Sequence, residues 1–182
     1  MVAPAQQTIF AGFALLCAGI ASGHDVRERR IPNILTAPAL IAGLLLHVIF
    51  GGWGELGSSI LAALVSGAAF FVFFLAGGMG AGDVKLMAAV GGIVALGGLP
   101  QVMLATVIAG ALFALATAVY HGRLRSTLCN VSALLGHHSR NGLNPHPEMN
   151  LGNEQSLRLP FALPIAAGCA IHLGSLMLGG KA

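Results

Sequence analysis

Asp25 and Asp83 are the residues of this sequence whose type and placing most suggest chemistry. Each stands at the edge of an apolar stretch. A charged side chain in or beside a membrane helix is costly, and it is usually paired or functional. Two carboxylates brought within a few ångströms resist ionising together, so the pair can hold a single proton. The ionised member can then take a proton from water. The protonated member can donate to a peptide carbonyl or to a leaving nitrogen. This is aspartic-protease chemistry, and it calls for no metal and no cofactor. Each acid also has a purely structural use. Asp25 can pair with Arg27 or Arg29, and Asp83 can cap the helix it opens, which stabilises a helix by about 1 kcal/mol. Spacing alone leaves both uses open and puts the two acids at one depth without showing that they meet.

The backbone around each acid is constrained. Gly77-Gly78-Met79-Gly80-Ala81-Gly82 precedes Asp83. Glycine permits close approach and dihedrals closed to other residues, at a cost in order. Such a run gives either room for an extended peptide beside Asp83 or a flexible turn. Asp25 is followed by Arg29-Arg30-Ile31-Pro32-Asn33, in which Pro32 holds Ile31 extended and can start the next helix.

The elements that must carry these residues are membrane helices. Of 182 residues, 56% are hydrophobic and 8% charged, whereas soluble domains carry about 25% charged residues. The mean hydropathy is +0.85. So little charge cannot cover a water-exposed surface. The 26 glycines suit helices that pack closely in lipid. Apolar segments run over residues 8–23, 34–50, 56–76, 84–99, 101–120 and 159–178. No Lys or Arg precedes the first, which favours a retained helix over a cleaved leader. A break is expected at Gly97-Gly98-Leu99-Pro100, with Pro100 starting the fifth helix. Several segments are short for a span of roughly 17 to 25 residues, so they should extend into flanks that include Asp25 and Asp83. The expectation is an all-α polytopic membrane protein of six transmembrane helices, one domain over residues 1–182.

With six spans, Arg27, Arg29, Arg30, Lys85, Arg123, Arg125, Arg140 and Arg158 all fall on one side, and Lys181 alone on the other. By the positive-inside rule the first side is cytoplasmic and both termini are periplasmic. The formal charge of +3 is therefore a topology signal with some attraction to anionic membrane lipids, and no nucleic-acid partner is implied. Residues 121–158 form a polar cytoplasmic loop with a short amphipathic piece around 128–135 at the interface. Its His137, His138 and His146 lack a regular ligand spacing, and no metal is expected there. Cys17, Cys129 and Cys169 form no Cys-x-x-Cys pair. His24, His47, His121 and His172 lie near helix ends and receive no chemical role.

At the two acids the sequence resembles a known family. Gly80-Ala81-Gly82-Asp83-Val84-Lys85-Leu86 is similar to the GxGD motif of the bacterial type IV prepilin peptidases. Asp25 with Arg29-Arg30-Ile31-Pro32-Asn33 is similar to that family's first aspartate motif. Leu159-Pro160-Phe161-Ala162-Leu163-Pro164-Ile165-Ala166-Ala167-Gly168 is similar to its last helix. The short members serving Flp-type (tight-adherence) pili are the most alike. The resemblance implies a membrane-embedded aspartic endopeptidase of the bacterial inner membrane. Asp25 and Asp83 would form its catalytic dyad, with Gly80, Gly82, Lys85, Arg30, Pro32 and Asn33 in support. Its substrate would be a prepilin with a basic leader before an apolar helix, cut at the cytoplasmic face. Longer members carry a cytoplasmic insert with paired Cys-x-x-Cys motifs between the first two helices, and they also methylate the new N-terminus. Here residues 24–33 alone separate those segments, so methyltransferase activity is not expected. Two other classes remain: a small membrane transporter, and a noncatalytic subunit of an envelope assembly.

Overall fold

The computed structural model describes residues 4–122, 124–142 and 159–179. These form five helices: α1 (Pro4–Glu28), α2 (Asn33–Leu75), α3 (Ala81–Tyr120), α4 (Leu124–Asn141) and α5 (Ala162–Gly179). Four of them, all but α4, are long and apolar enough to cross a membrane. The chain is thus an all-α polytopic membrane protein.

The expected extension into the flanks is observed. α1 continues past Asp25 to Glu28, and α3 starts at Ala81, before Asp83. A buried stripe explains the burial of the first acid. Phe10, Ala14, Cys17, Ala18 and Ala21 face the interior at helical spacing, and Asp25 is the next position on that face. Small residues in the stripe let α1 lie close to α5. On α3, Asp83 opens a second buried stripe through Leu86, Met87 and Val90.

α2 and α3 are too long for single spans. At ~1.5 Å per residue, the 43 residues of α2 would reach about 65 Å, twice a hydrocarbon core of about 30 Å. Both helices turn back. α2 has non-helical backbone at Gly52, with φ 70° and ψ −164°. Its two halves consequently flank the same stretch of α3: His47 Nε2 lies 2.9 Å from the Ile93 carbonyl, and the Ser59 hydroxyl donates to the Gly92 carbonyl. In a straight helix those two side chains would stand ~18 Å apart along the axis. α3 is broken at Ala95, with φ 53° and ψ −174°. Its second half runs back along α5, so that Gly98 meets His172 and Gly110 meets Phe161. The break therefore falls at Ala95, before the Gly97-Gly98 pair. Pro100 is the fifth residue of the second half, just past its first turn, and leaves the Leu96 carbonyl without an i→i−4 donor.

The backbone groups freed at Ala95 are caught by side chains. The Leu96 N–H, which would have bonded the Gly92 carbonyl, donates to Ser58 Oγ at 3.2 Å. The Gly92 carbonyl receives the Ser59 hydroxyl instead. Irregular backbone at membrane depth is tolerated where protein groups satisfy it in this way. Close packing also matters here: a Cβ on Gly91 would stand 2.8 Å from the Ala62 carbonyl. Interface residues mark both ends of the bundle. Trp53 at the α2 turn is 81% exposed, and Tyr120 at the end of α3 is 87% exposed.

Two expectations are corrected. α5 begins at Ala162, three residues beyond the expected start, after Pro160 and with Pro164 in its first turn. The amphipathic piece expected at 128–135 is an 18-residue helix, α4, whose apolar Leu124, Leu128 and Val131 recur at helical spacing. Its His137 lies on that helix. His146, Glu148, Glu154 and Arg158 of the expected loop lie outside the described residues, as do Arg123 and Lys181.

Candidate active site

Asp25 and Asp83 come from different helices to one end of the bundle, and both are buried. They stand close enough that the charge of Asp25 acts on Asp83. Each carboxylate has a backbone N–H on it. The Ala162 N–H, in the first turn of α5, donates to Asp25 Oδ2 at 3.3 Å. Helix N-termini favour negative charge, so α5 is aimed at this carboxylate. The Gly80 N–H donates to Asp83 Oδ2 at 3.2 Å. Asp83 is thus the third residue of α3 bonding back to the cap position, the structural use that spacing allowed. That use occupies one of its oxygens and leaves the other.

The linker between α1 and α2 is short and held in place. α1 ends with Arg29 at φ 53°, the left-handed position at which helices commonly stop, with its N–H on the Asp25 carbonyl at 3.0 Å. That conformation is unfavourable for a residue with a side chain, by about 1–2 kcal/mol. It also leaves the Arg29 charge acting on Asp25, the pairing that the sequence offered as one of two. Ile31 then packs on Gly82, where a Cβ would stand 3.1 Å from the Ile31 Cβ. The second glycine of the motif is therefore a contact point for this linker. Pro32 caps α2 in extended conformation, at φ −70° and ψ 135°. Arg30 is exposed.

The glycine run is a turn with defined parts. Gly77 has φ 76°, and the Gly78 N–H reaches the Phe73 carbonyl at 2.9 Å while the Gly77 N–H reaches Phe74, closing α2 as a Schellman motif. Gly80 caps α3. Lys85 does not join the acids. Two positions along a helix is a turn of ~200°, so Lys85 faces away from Asp83, and its ammonium donates to Asn33 Oδ1 at 2.9 Å. The Ala162 N–H was not legible as a site group, since a backbone donor has no residue type. Its only signal was the proline pair at 160 and 164 that fixes where α5 starts. Among the described residues no group of three or more His, Cys, Asp or Glu side chains is placed to hold a metal.

A buried pair of carboxylates, each with one backbone donor, can share a proton and divide the roles of acid and base. A family model described as the type IV leader peptidase family matches residues 12–115, which include both acids and their glycine and proline context. The chain belongs to that family. Among curated relatives, this leader-peptidase family member is 36% identical over 127 residues to a prepilin leader peptidase/N-methyltransferase of Burkholderia pseudomallei (strain 1026b). That match covers 63% of the chain and 39% of the relative. It is 38% identical over 96 residues to the protein of that description from Aeromonas salmonicida (strain A449), covering 49% of the chain and 33% of the relative. The chain thus spans well under half the length of these relatives. No solved structure gives a significant match.

Proposed function

We propose that this chain is a membrane-embedded aspartic endopeptidase that removes the basic leader from type IV prepilins of the Flp type at the cytoplasmic face of the bacterial inner membrane. The observation that supports this reading is that Asp25 and Asp83 are buried on two helices at one end of the bundle, near enough for the charge of Asp25 to act on Asp83. In this mechanism one carboxylate is ionised and draws a proton from a water molecule. The water oxygen attacks the scissile carbonyl carbon. The protonated partner donates to the carbonyl oxygen and then, after the proton is passed back, to the leaving nitrogen.

The two reversals support six membrane crossings from four long helices, with both termini periplasmic and the acids toward the cytoplasm. The prepilin's apolar helix stays in lipid, and its leader junction lies at headgroup depth beside Asp25 and Asp83. Gly80, Gly82, Arg30 and Pro32 shape the surroundings of the pair, while Asn33 holds Lys85 on the far side of α3, and residues 1–182 act as one peptidase domain. Only residues 29–32 connect α1 to α2, which leaves no inserted cysteine-bearing unit there. The reaction is accordingly leader cleavage without N-methylation. The test is cleavage of a prepilin-like substrate in membranes by wild type, D25N and D83N at matched expression, with the product mapped. Wild type cuts at the junction of leader and apolar helix, and neither variant does. Full cleavage by either variant removes that residue from the pair.

A further inference from the structure

Lys85 and Asn33 stand at the head of an open cavity of about 360 Å³ between the first halves of α2 and α3, completed by Thr36, Ala37, Leu40 and Ala88. It lies on the side of α3 opposite Asp83, so the proposed peptide chemistry does not use it. Its surroundings are lipid-facing: on α2, Ile34 is 83% exposed and Ile41 57% exposed, and in a membrane protein such side chains are covered by acyl chains. The lining grades from polar to apolar along the helices. The ammonium and amide come at the level of the first turns, and Ala37, Ala88 and Leu40 follow deeper. Asn33 accepts one of the three N–H donors of Lys85, and its own NH₂ group remains a donor. The lining holds no acid.

We propose that this groove is a binding site for one anionic phospholipid. Its phosphate sits on the Lys85 ammonium and the Asn33 amide, and one acyl chain lies along Ala37, Ala88 and Leu40. A phosphate accepts from both donors. A zwitterionic headgroup brings an ammonium of its own beside Lys85, and that like charge is disfavoured. The small side chains at 37 and 88 are what keep the groove open for a chain. The bound lipid bridges the starts of α2 and α3.

The test is native mass spectrometry of the purified full chain released from nanodiscs of phosphatidylglycerol and phosphatidylethanolamine in equal amounts. Wild type is expected to retain one phosphatidylglycerol in preference to phosphatidylethanolamine by about fivefold. Lys85→Gln is expected to lose the preference. Ala37→Phe, at an exposed position that leaves Lys85 in place, is expected to lose the retained lipid, and Ala88→Phe to do the same. Equal retention of the two lipids by wild type overturns the proposal. So does retention in Lys85→Gln and Ala37→Phe that matches wild type. Unchanged retention in Lys85→Gln together with a raised KM for a prepilin peptide also overturns it and gives the groove to the substrate.

Discussion

Where α2 and α3 turn back, polar side chains are tied to backbone. Ser58 and Ser59 hold the two halves of a broken helix bond, and His47 holds the Ile93 carbonyl. Nearby, His172 Nδ1 lies 2.8 Å from Gln101 Oε1, and the Gln101 amide donates to Ser175 Oγ at 2.8 Å. At the opposite end, Asp25 and Asp83 are also buried; each receives one backbone N–H, Asp83 feels the charge of Asp25, and Asp25 that of Arg29. The first arrangement lowers the free energy of an irregular fold. The second gives each carboxylate one donor for two oxygens and leaves acceptor capacity unused. Polar groups in a membrane bundle thus divide into those that satisfy backbone and those left with capacity for reaction. The pairing pattern, more than burial, tells them apart.

Amide substitution at the acids gives the largest expected effect. Asp83→Asn keeps an oxygen to accept the Gly80 N–H, so α3 should start where it does now. Cleavage should fall by roughly 10²- to 10⁴-fold for Asp83→Asn or Asp25→Asn. Thermal stability should hold or rise, because a neutral amide replaces a buried acid that lies near a second acid. Measured together, activity and melting temperature separate the two ends. A variant that melts early but still cuts would erase the distinction.

Packing comes next. A Cβ at Gly91 would meet the Ala62 carbonyl at 2.8 Å, and one at Gly168 would meet the Val102 carbonyl at 2.9 Å. Both neighbours are backbone and yield little. Gly91→Ala and Gly168→Ala should each cost about 1–3 kcal/mol of stability, read by denaturation in detergent. Below these lies Ser59→Ala, which removes one interhelical bond and should cost about 0.6–1.7 kcal/mol. Its cleavage per folded molecule should match wild type, since Ser59 belongs to the structural end.

Much of this was legible in the residues. The apolar segments and their flanks marked the helices, and the glycine and proline context marked Asp25 and Asp83 as candidates without showing that they come near one another. Arg29 and Arg30 are both exposed, and of the two it is Arg29 whose charge acts on Asp25. Lys85 seemed part of the site because it is near Asp83 in sequence, but helical rotation turns it away. His47 received no role because its partner is a carbonyl freed by a break in another helix. No pattern in residues 40–50 encodes that break. The break itself was expected at Gly97-Gly98, where glycine is abundant, and it occurs at an alanine.

That alanine gives the smallest effect and the sharpest one. Gly52 and Ala95 hold nearly the same conformation, with φ 70° and ψ −164° in one and φ 53° and ψ −174° in the other. This region is essentially open to glycine alone and costs about 1–3 kcal/mol for other residues. Gly52 is half exposed, among exposed Gly51, Trp53 and Gly54, and has no side chain to strain. Ala95 is buried, and its strain is offset by the bonds from Ser58, Ser59 and His47 around it. Gly52→Ala should therefore destabilise by about 1–3 kcal/mol. Ala95→Gly should relieve the strain but enlarge the freedom of the unfolded chain by about 0.4–1 kcal/mol, for a net stabilisation between about 0 and about 2.6 kcal/mol. The double variant Ala95→Gly with Ser59→Ala then decides how the break is held. If the strain is what the serine offsets, Ser59→Ala should cost little in the glycine background, and the double variant should match Ala95→Gly alone. If Ser59→Ala costs as much in the glycine background, the serine serves the freed carbonyl alone, and the alanine at position 95 is there for packing.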